Sequence, residues 1–131
     1  MNSQRTVLVV DDRKFARIML QKAISHYNWD WKVDVASDGE EGRTAFDENN
    51  QDIVIVDYHM PDITGLELAG ELRQKNRSVP IALCIANIQN TIQKQAALLD
   101  VSFVDKPVSE ISVGHFLENS EIAIWGTEQH E

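Results

Sequence analysis

Four charged residues stand where three apolar runs of the sequence end, and their types could do chemistry together. Asp57 follows a run of four β-branched residues, and the pair Asp11-Asp12 follows an earlier apolar run. Lys106 comes shortly after a third run, nearer the carboxyl terminus. Apolar runs bounded by turn residues are typical of strands buried on both faces of a sheet. In a parallel sheet such strands end at one edge, so we expect the four groups to lie close together there.

This expected cluster has a definite chemistry. Three neighbouring carboxylates repel one another unless a cation neutralises them. Oxygen-only ligands that leave room for water favour a hard divalent ion, above all Mg²⁺. A carboxylate beside such an ion and a lysine can attack phosphorus, which gives Asp57 the role of phosphoacceptor and Lys106 that of a fixed positive charge. The product is an acyl phosphate that water can later hydrolyse.

Strand and helix patterns alternate five times along the chain. This alternation predicts an α/β fold with a parallel sheet and helices on both faces. In the first helix, apolar residues recur at helical spacing, and Asp12 or a neighbour could cap its start. The apolar residues of that helix are Phe15, Ile18, Met19 and Ala23, and those expected to face inward in the third are Leu66, Leu68, Ala69 and Leu72. The predicted strands are 6–10, 31–36, 53–57, 81–85 and 101–104, and the predicted helices are about 13–27, 39–49, 65–75, 88–99 and from 109 past 117.

Composition and charge limit the class of protein. The 131 residues carry a net charge of -9, which argues against direct nucleic-acid binding because phosphate contacts need Lys and Arg. No apolar run approaches the ~20 residues that span a bilayer, so no membrane partner is expected. The single cysteine, Cys84, forms no internal disulfide and fits a reducing compartment, so a cytoplasmic location is predicted.

One domain is expected over residues 1–125, followed by a disordered tail at 126–131. The stretch Glu121–Trp125 has two interpretations. It extends the fifth helix and packs on the body of the domain, or it forms an exposed apolar patch for a partner.

The chain resembles a response-regulator receiver domain of two-component signalling, similar to the CheY type, over about residues 5–120. The motifs that carry the resemblance are Asp11-Asp12, Asp57-Tyr58-His59-Met60-Pro61 with Gly65 further on, Ala86, and Lys106-Pro107.

The resemblance implies a flavodoxin-like doubly wound sheet with strand order 2-1-3-4-5. It implies that Mg²⁺ is held by the three carboxylates and by the backbone carbonyl of His59. It also implies a small residue at Ala86 that keeps the pocket open, and a cis peptide before Pro107 that aims the neighbouring lysine at Asp57.

Two positions depart from the family pattern. The resemblance places Thr or Ser, whose hydroxyl bonds the phosphoryl group, where this chain has Ile85. Cys84 is adjacent but should point to the opposite face, and Asn87 is the nearest polar substitute. The aromatic switch residue is Phe103, which is apolar and can stay buried. Weakened switching is therefore expected, and the resemblance assigns His59 and Asn87 to tuning the phosphoryl lifetime.

The predicted function is that of a stand-alone receiver in a phosphorelay or other two-component pathway. A histidine kinase or phosphotransfer protein donates the phosphoryl group, and a separate output protein binds the face made by the fourth helix, fifth strand and fifth helix. The protein is expected to be no enzyme beyond its own phosphorylation and dephosphorylation. The alternative is a degenerate receiver that binds partners independently of phosphorylation. An aspartyl-nucleophile phosphatase is a second rival, although the Asp-x-Asp arrangement and the room for a cap domain are missing.

Overall fold

A computed structural model of the chain describes residues 4–129 and contains the ten predicted elements. The strands are β1 (Thr6–Val10), β2 (Lys32–Ala36), β3 (Ile53–Asp57), β4 (Ile81–Ile85) and β5 (Ser102–Asp105). The helices are α1 (Lys14–Tyr27), α2 (Gly39–Glu48), α3 (Gly65–Lys75), α4 (Asn90–Leu98) and α5 (Glu110–Gln129). The predicted bounds agree within about two residues, which is the usual disagreement between assignment methods.

The four strand pairs are parallel, and the strand order is β2-β1-β3-β4-β5. The predicted flavodoxin-like α/β fold is therefore confirmed. The central strand, β3, is buried along its whole length. A central parallel strand is covered by helices on both faces, which explains why its sequence is continuously apolar up to Asp57.

The sheet separates two apolar clusters. The first lies against α1 and α5 and includes Ile55 and Cys84, whereas the second lies against α2, α3 and α4 and includes Leu83. Successive strand residues thus enter opposite clusters, as the pleat requires. By the same alternation Asp57, two residues after Ile55, continues the face that packs against α1 and α5. The inward-facing residues predicted for α3 are buried: Leu66, Leu68, Ala69 and Leu72.

The helix predicted from the apolar spacing is present as α1, but most of the apolar residues that indicated it do not pack against the sheet. The buried residues of α1 are Leu20, Ala23 and Ile24. The exposed ones are Phe15, at 73%, together with Ile18 and Met19. Apolar residues occur on more than one face of this helix, so their spacing alone does not identify the face that packs against the sheet.

α5 is the longest helix and continues through Gln129. It includes residues 126–129, which the sequence analysis assigns to a tail, while residues 130 and 131 of that predicted tail lie outside the described part of the chain. Among residues 4–129, no helix, α5 included, combines the length and the apolar character needed to cross a membrane.

The second half of α5 is attached to the domain by specific contacts. The hydroxyl of Tyr27 donates to Glu121 Oε1 at 2.5 Å, and Ile124 packs against the first apolar cluster. On the other side of the helix, Ile122 and Trp125 are exposed. Both interpretations of residues 121–125 are therefore partly right: the segment packs on the body and still presents an apolar surface.

Gly65 brings the start of α3 against the end of β3. Its backbone N–H donates to the Tyr58 carbonyl at 2.8 Å. A Cβ added here would collide with the carbonyl oxygen of Asp57 and lie 2.8 Å from Leu83 Cδ1. The resemblance motif includes this glycine, and the geometry supplies the reason: only a residue without a side chain lets the two elements approach so closely.

We expect Gly65→Ala to lower the free energy of unfolding by about 2–3 kcal/mol, because the backbone has to move to admit the methyl group. Gly126→Ala is the matched control, since a Cβ there meets nothing within 4 Å. That change should raise stability by roughly 0.5–1 kcal/mol through helix propensity. Urea unfolding followed by circular dichroism measures both, and equal effects would contradict this account of Gly65.

Candidate functional site

Asp57 lies at the carboxyl end of β3 and is 2% exposed. It pairs in register with Cys84 of β4, and its Oδ2 accepts a hydrogen bond from the His59 N–H at 3.1 Å. Its other oxygen, Oδ1, is buried without a well-oriented hydrogen-bond donor among the described residues. One carboxylate oxygen is thus fixed by the backbone, and the other is available for ionic contacts.

Asp11 and Asp12 follow β1, the strand next to β3, and meet Asp57 at the same edge. Asp11 is 1% exposed, whereas Asp12 is exposed. Each of the three carboxylates offers an oxygen, and these oxygens lie within 4.8 Å of one another. The predicted capping of the first helix by Asp12 or a neighbour is wrong, because the N-cap of α1 is Arg13, without a side-chain capping bond. Asp11 Oδ1 instead accepts the Arg13 N–H at 2.9 Å. The convergence expected from the parallel sheet is therefore present.

Lys106 follows β5 and points at the cluster. Its Nζ forms an ion pair with Asp57 Oδ1, and its side chain is only 20% exposed. Its backbone N–H lies 3.4 Å from the Ile85 carbonyl, which ties the loop to the end of β4. The Lys106-Pro107 peptide bond is cis, as the resemblance implies.

Arg13 is a member of the cluster that the sequence analysis missed. Its Nε and Nη2 lie 3.3 and 3.4 Å from the two carboxylate oxygens of Asp11, and its Nη2 is also 3.6 Å from Asp57 Oδ1. Arg17, one turn further along α1, donates to the Asp11 carbonyl at 2.8 Å. The signal that could have found Arg13 is its position directly after the acidic pair.

The charges around Asp57 act in opposite directions on its pKa. Burial raises the pKa of the Asp57 carboxyl, and the nearby Asp11 raises it further, while Lys106 and Arg13 oppose the rise. Burial wins, so the site disfavours the carboxylate form despite two adjacent cations. Burial likewise raises the pKa of the Cys84 thiol to about 12, which makes Cys84 an unreactive core residue.

A pocket of about 460 Å³ opens beside the cluster. Asp11 and Lys106 border it on the sheet side, and Phe15 and Met19 of α1 border it on the other. Ala86, just after β4, also lines the pocket. The pocket therefore reaches Asp11 and Lys106 of the cluster from the side of α1.

The remaining predicted site residues lie around the ends of β4 and β5. Ile85 is buried at the end of β4, one residue beyond Cys84, which belongs to the first apolar cluster. Asn87 and His59 are both exposed, each two residues beyond a strand end. Phe103 is only partly buried, against the second apolar cluster. Leu83 and Cys84 enter opposite clusters, and the prediction that Ile85 points away from Cys84 continues this alternation.

The donor set fits a hard divalent cation. Three carboxylates surround a small volume, one of them with a buried oxygen that lacks an aligned donor. Oxygen ligands of this charge and spacing suit Mg²⁺ with bound water better than a softer metal.

A flavodoxin-like domain with three carboxylates and a lysine at the carboxyl edge of its sheet has the architecture of a phospho-signalling receiver. The chain belongs to the response regulator receiver domain family, whose model matches residues 7–116. Domains of this family act in two-component systems and bind Mg²⁺ in their acidic pocket.

Individual relatives agree with this assignment. The probable transcriptional regulatory protein TcrX of Mycobacterium tuberculosis is 31% identical over 107 residues, which are 79% of this chain and 44% of TcrX. A solved structure of the response regulator TrrA from Thermotoga maritima, in complex with Mg²⁺-BeF, superposes on this chain with a TM-score of 0.79 at 30% identity. The match covers 89% of this chain and 99% of the TrrA chain. The chemotaxis protein CheY4 of Vibrio cholerae shares the fold, with a TM-score of 0.82 at 21% identity. The match covers 90% of this chain and 99% of the CheY4 chain. The chain spans less than half the length of the curated relatives that it matches.

In metal-free buffer near neutral pH, we expect Asp57→Asn to raise the free energy of unfolding by on the order of 1 kcal/mol, since Asn avoids the cost of burying a charge. A raised pKa means that the folded state holds the proton more tightly than the unfolded state. The wild type should therefore approach the variant in stability as the pH falls.

Urea unfolding at neutral pH and at about two pH units lower measures this difference. Asp105→Asn is the control, because Asp105 is an exposed carboxylate at the end of the neighbouring strand β5. A wild type that is more stable than Asp57→Asn at neutral pH would show that the cations, and not burial, dominate at Asp57.

Proposed function

We propose that this receiver accepts a phosphoryl group on Asp57 from a histidine kinase or a phosphotransfer protein. The observation that carries the proposal is the buried Asp57 carboxylate, paired with Lys106 and clustered with Asp11 and Asp12. Burying one carboxylate beside two others costs stability. Such an arrangement with a perturbed pKa in an accessible pocket is typical of functional sites.

In the proposed transfer, a carboxylate oxygen of Asp57 forms a bond to phosphorus while the bond from phosphorus to the donor's histidine nitrogen breaks. Lys106 supplies a fixed positive charge to a phosphoryl oxygen, since its ammonium group already lies against Asp57. The three carboxylates and the backbone carbonyl of His59 hold Mg²⁺, which when bound screens the repulsion between the phosphoryl oxygens and the carboxylates. Hydrolysis then restores Asp57, and these self-directed steps are the whole of its catalysis.

The approach of the donor is along α1. Phe15 and Met19 border the pocket and are exposed, and Ile18 is exposed on the same helix. A donor histidine has to pass this helix to reach Asp57, so an apolar surface here suits contact with the helices of a donor protein.

The lifetime of the acyl phosphate depends on how water reaches it. The exposed His59 and Asn87 lie two residues beyond the ends of β3 and β4, and Ala86 lines the opening. We assign the two larger side chains to control of water access and the small one to keeping the pocket open.

The output surface in this proposal is the face formed by α4, β5 and α5, which a separate protein binds. Leu98 of α4 and Ile111 of α5 are strongly exposed apolar residues on these elements. Phe103 of β5 is partly buried against the second apolar cluster beside them.

Signal transmission to this face is weakened by Ile85. A hydrogen bond to a charged group contributes roughly 1.5–3 kcal/mol, and reversing a two-state equilibrium needs about 5.5 kcal/mol. The missing hydroxyl at position 85 therefore removes a large part of the coupling energy without touching the acceptor chemistry.

Incubation with acetyl phosphate and Mg²⁺ should add one phosphoryl group to the protein, detected by intact mass spectrometry. Asp57→Asn should abolish the addition, and Lys106→Ala should slow it, because the developing charge on the phosphoryl oxygens loses its partner. Asp105→Asn should behave as the wild type. A wild type that stays unmodified would favour the alternative, a degenerate receiver that binds partners without phosphorylation.

We expect Ile85→Thr to strengthen the coupling between phosphorylation of Asp57 and the conformation of the α4, β5 and α5 face about tenfold or more. The reason is that the threonine hydroxyl restores one charge-assisted hydrogen bond. Ile85→Val is the matched control, because valine has nearly the shape of threonine without the hydroxyl. Amide chemical shifts of α4 and β5, recorded with and without beryllofluoride and Mg²⁺, report the change. Large wild-type shifts that Ile85→Thr does not increase would contradict the role given to position 85.

A further inference from the structure

Arg13 occupies a place that the acceptor chemistry leaves unexplained. Its guanidinium bridges two of the three clustered carboxylates, with both Asp11 oxygens within 3.4 Å and Asp57 Oδ1 at 3.6 Å. It is therefore a second cation in the cluster besides Lys106, and within residues 4–129 it is the cation found in contact with both buried acids.

The contacts of Arg13 coincide with those that a divalent ion needs. The cluster of oxygens that suits a cation is made by Asp11, Asp12 and Asp57. A carboxylate oxygen that a guanidinium holds is a poorer ligand for a metal, and a guanidinium beside a divalent cation is repelled by it. The two cations are therefore competitors for the same acidic groups.

The anchoring of Arg13 suits reversible displacement. Its side chain is 55% exposed, so the guanidinium can turn into solvent without opening the core. Its backbone stays fixed, because its N–H donates to Asp11 Oδ1 at 2.9 Å and its carbonyl accepts from the Arg17 N–H at 3.1 Å. The ammonium group of Lys106 is less free to leave the cluster, because its side chain is only 20% exposed and it follows directly after β5.

We propose that Arg13 is an internal counter-ion that competes with Mg²⁺ for Asp11 and Asp57 and so sets the Mg²⁺ concentration at which this receiver becomes competent. The proposal rests on the proposed function, because it assumes that Mg²⁺ binds this cluster. Arg13 stabilises the acidic cluster when the ion is scarce and withdraws when the ion binds.

The test is a Mg²⁺ titration by isothermal calorimetry of the wild type, Arg13→Gln and Lys14→Gln. Removal of Arg13 should tighten Mg²⁺ binding about five- to tenfold, the size expected when a half-exposed guanidinium stops pairing with two carboxylates. Lys14→Gln removes the same charge from the next residue, which has no ion pair among those found in residues 4–129, and should change affinity less than about twofold.

Thermal unfolding is a second measurement, in which the loss of Arg13 should be unfavourable without Mg²⁺ although it favours Mg²⁺ binding. Without Mg²⁺, Arg13→Gln should unfold at a lower temperature than the wild type, because Asp11 and Asp57 lose a counter-ion. With saturating Mg²⁺ the difference should disappear or reverse. Arg13→Lys, which keeps the charge but loses the planar fork, should lie between the wild type and Arg13→Gln in both measurements.

The outcomes separate this inference from the proposed function. If the wild type and Arg13→Gln bind Mg²⁺ equally, or the variant binds more weakly, the competition is excluded while the Mg²⁺ site stands. If Lys14→Gln tightens binding as much as Arg13→Gln, the effect is a general one of net charge and the inference fails. If neither the wild type nor Arg13→Gln binds Mg²⁺, the metal site of the proposed function fails and the competition falls with it.

Discussion

Mutual repulsion of buried negative charge is the constraint on which this structure depends. The fold brings the carboxylates of Asp11, Asp12 and Asp57 together at one edge of the sheet. Two of them, Asp11 and Asp57, are almost completely buried. Such a group is tolerable only with cations close by, and Lys106 and Arg13 provide them from opposite ends of the chain. The pKa of Asp57 nevertheless stays raised, chiefly because burial disfavours its charged form and also because Asp11 lies beside it. That residual cost makes the site receptive to further positive charge.

The sheet remains stable despite this unfavourable burial of charge, because its strands are packed on both faces. β3 is buried throughout between two apolar clusters, and Gly65 lets α3 start directly against its end. Asp57 therefore lies on a strand that is packed on both faces, while Asn87 and His59 lie on the loops around it. The proposed function thus combines a carboxylate fixed by the sheet with exposed side chains on the adjoining loops.

The sequence predicted those features that a local pattern determines. Continuous Val and Ile runs indicate buried parallel strands, and the sheet-edge rule then brings Asp57 and Lys106 together. The packed face of α1 was not predictable in this way, because Phe15 and Met19 fit a helical stripe as well as the buried Leu20 does. The role of Arg13 and the contact between Tyr27 and Glu121 depend on tertiary distances that no spacing rule supplies.

The division of the core by the sheet has a consequence for the kind of signalling this domain can support. Asp57 belongs to the strand face toward α1 and α5, whereas Ile85 ends β4 with a side chain inert to a new charge. If Asp57 carries a phosphoryl group as proposed, that group lies in the compartment of α1 and α5, and the sheet stands between it and the apolar cluster that includes Ala96 of α4. A change at Asp57 would therefore reach α4 around the ends of the strands and not through the core.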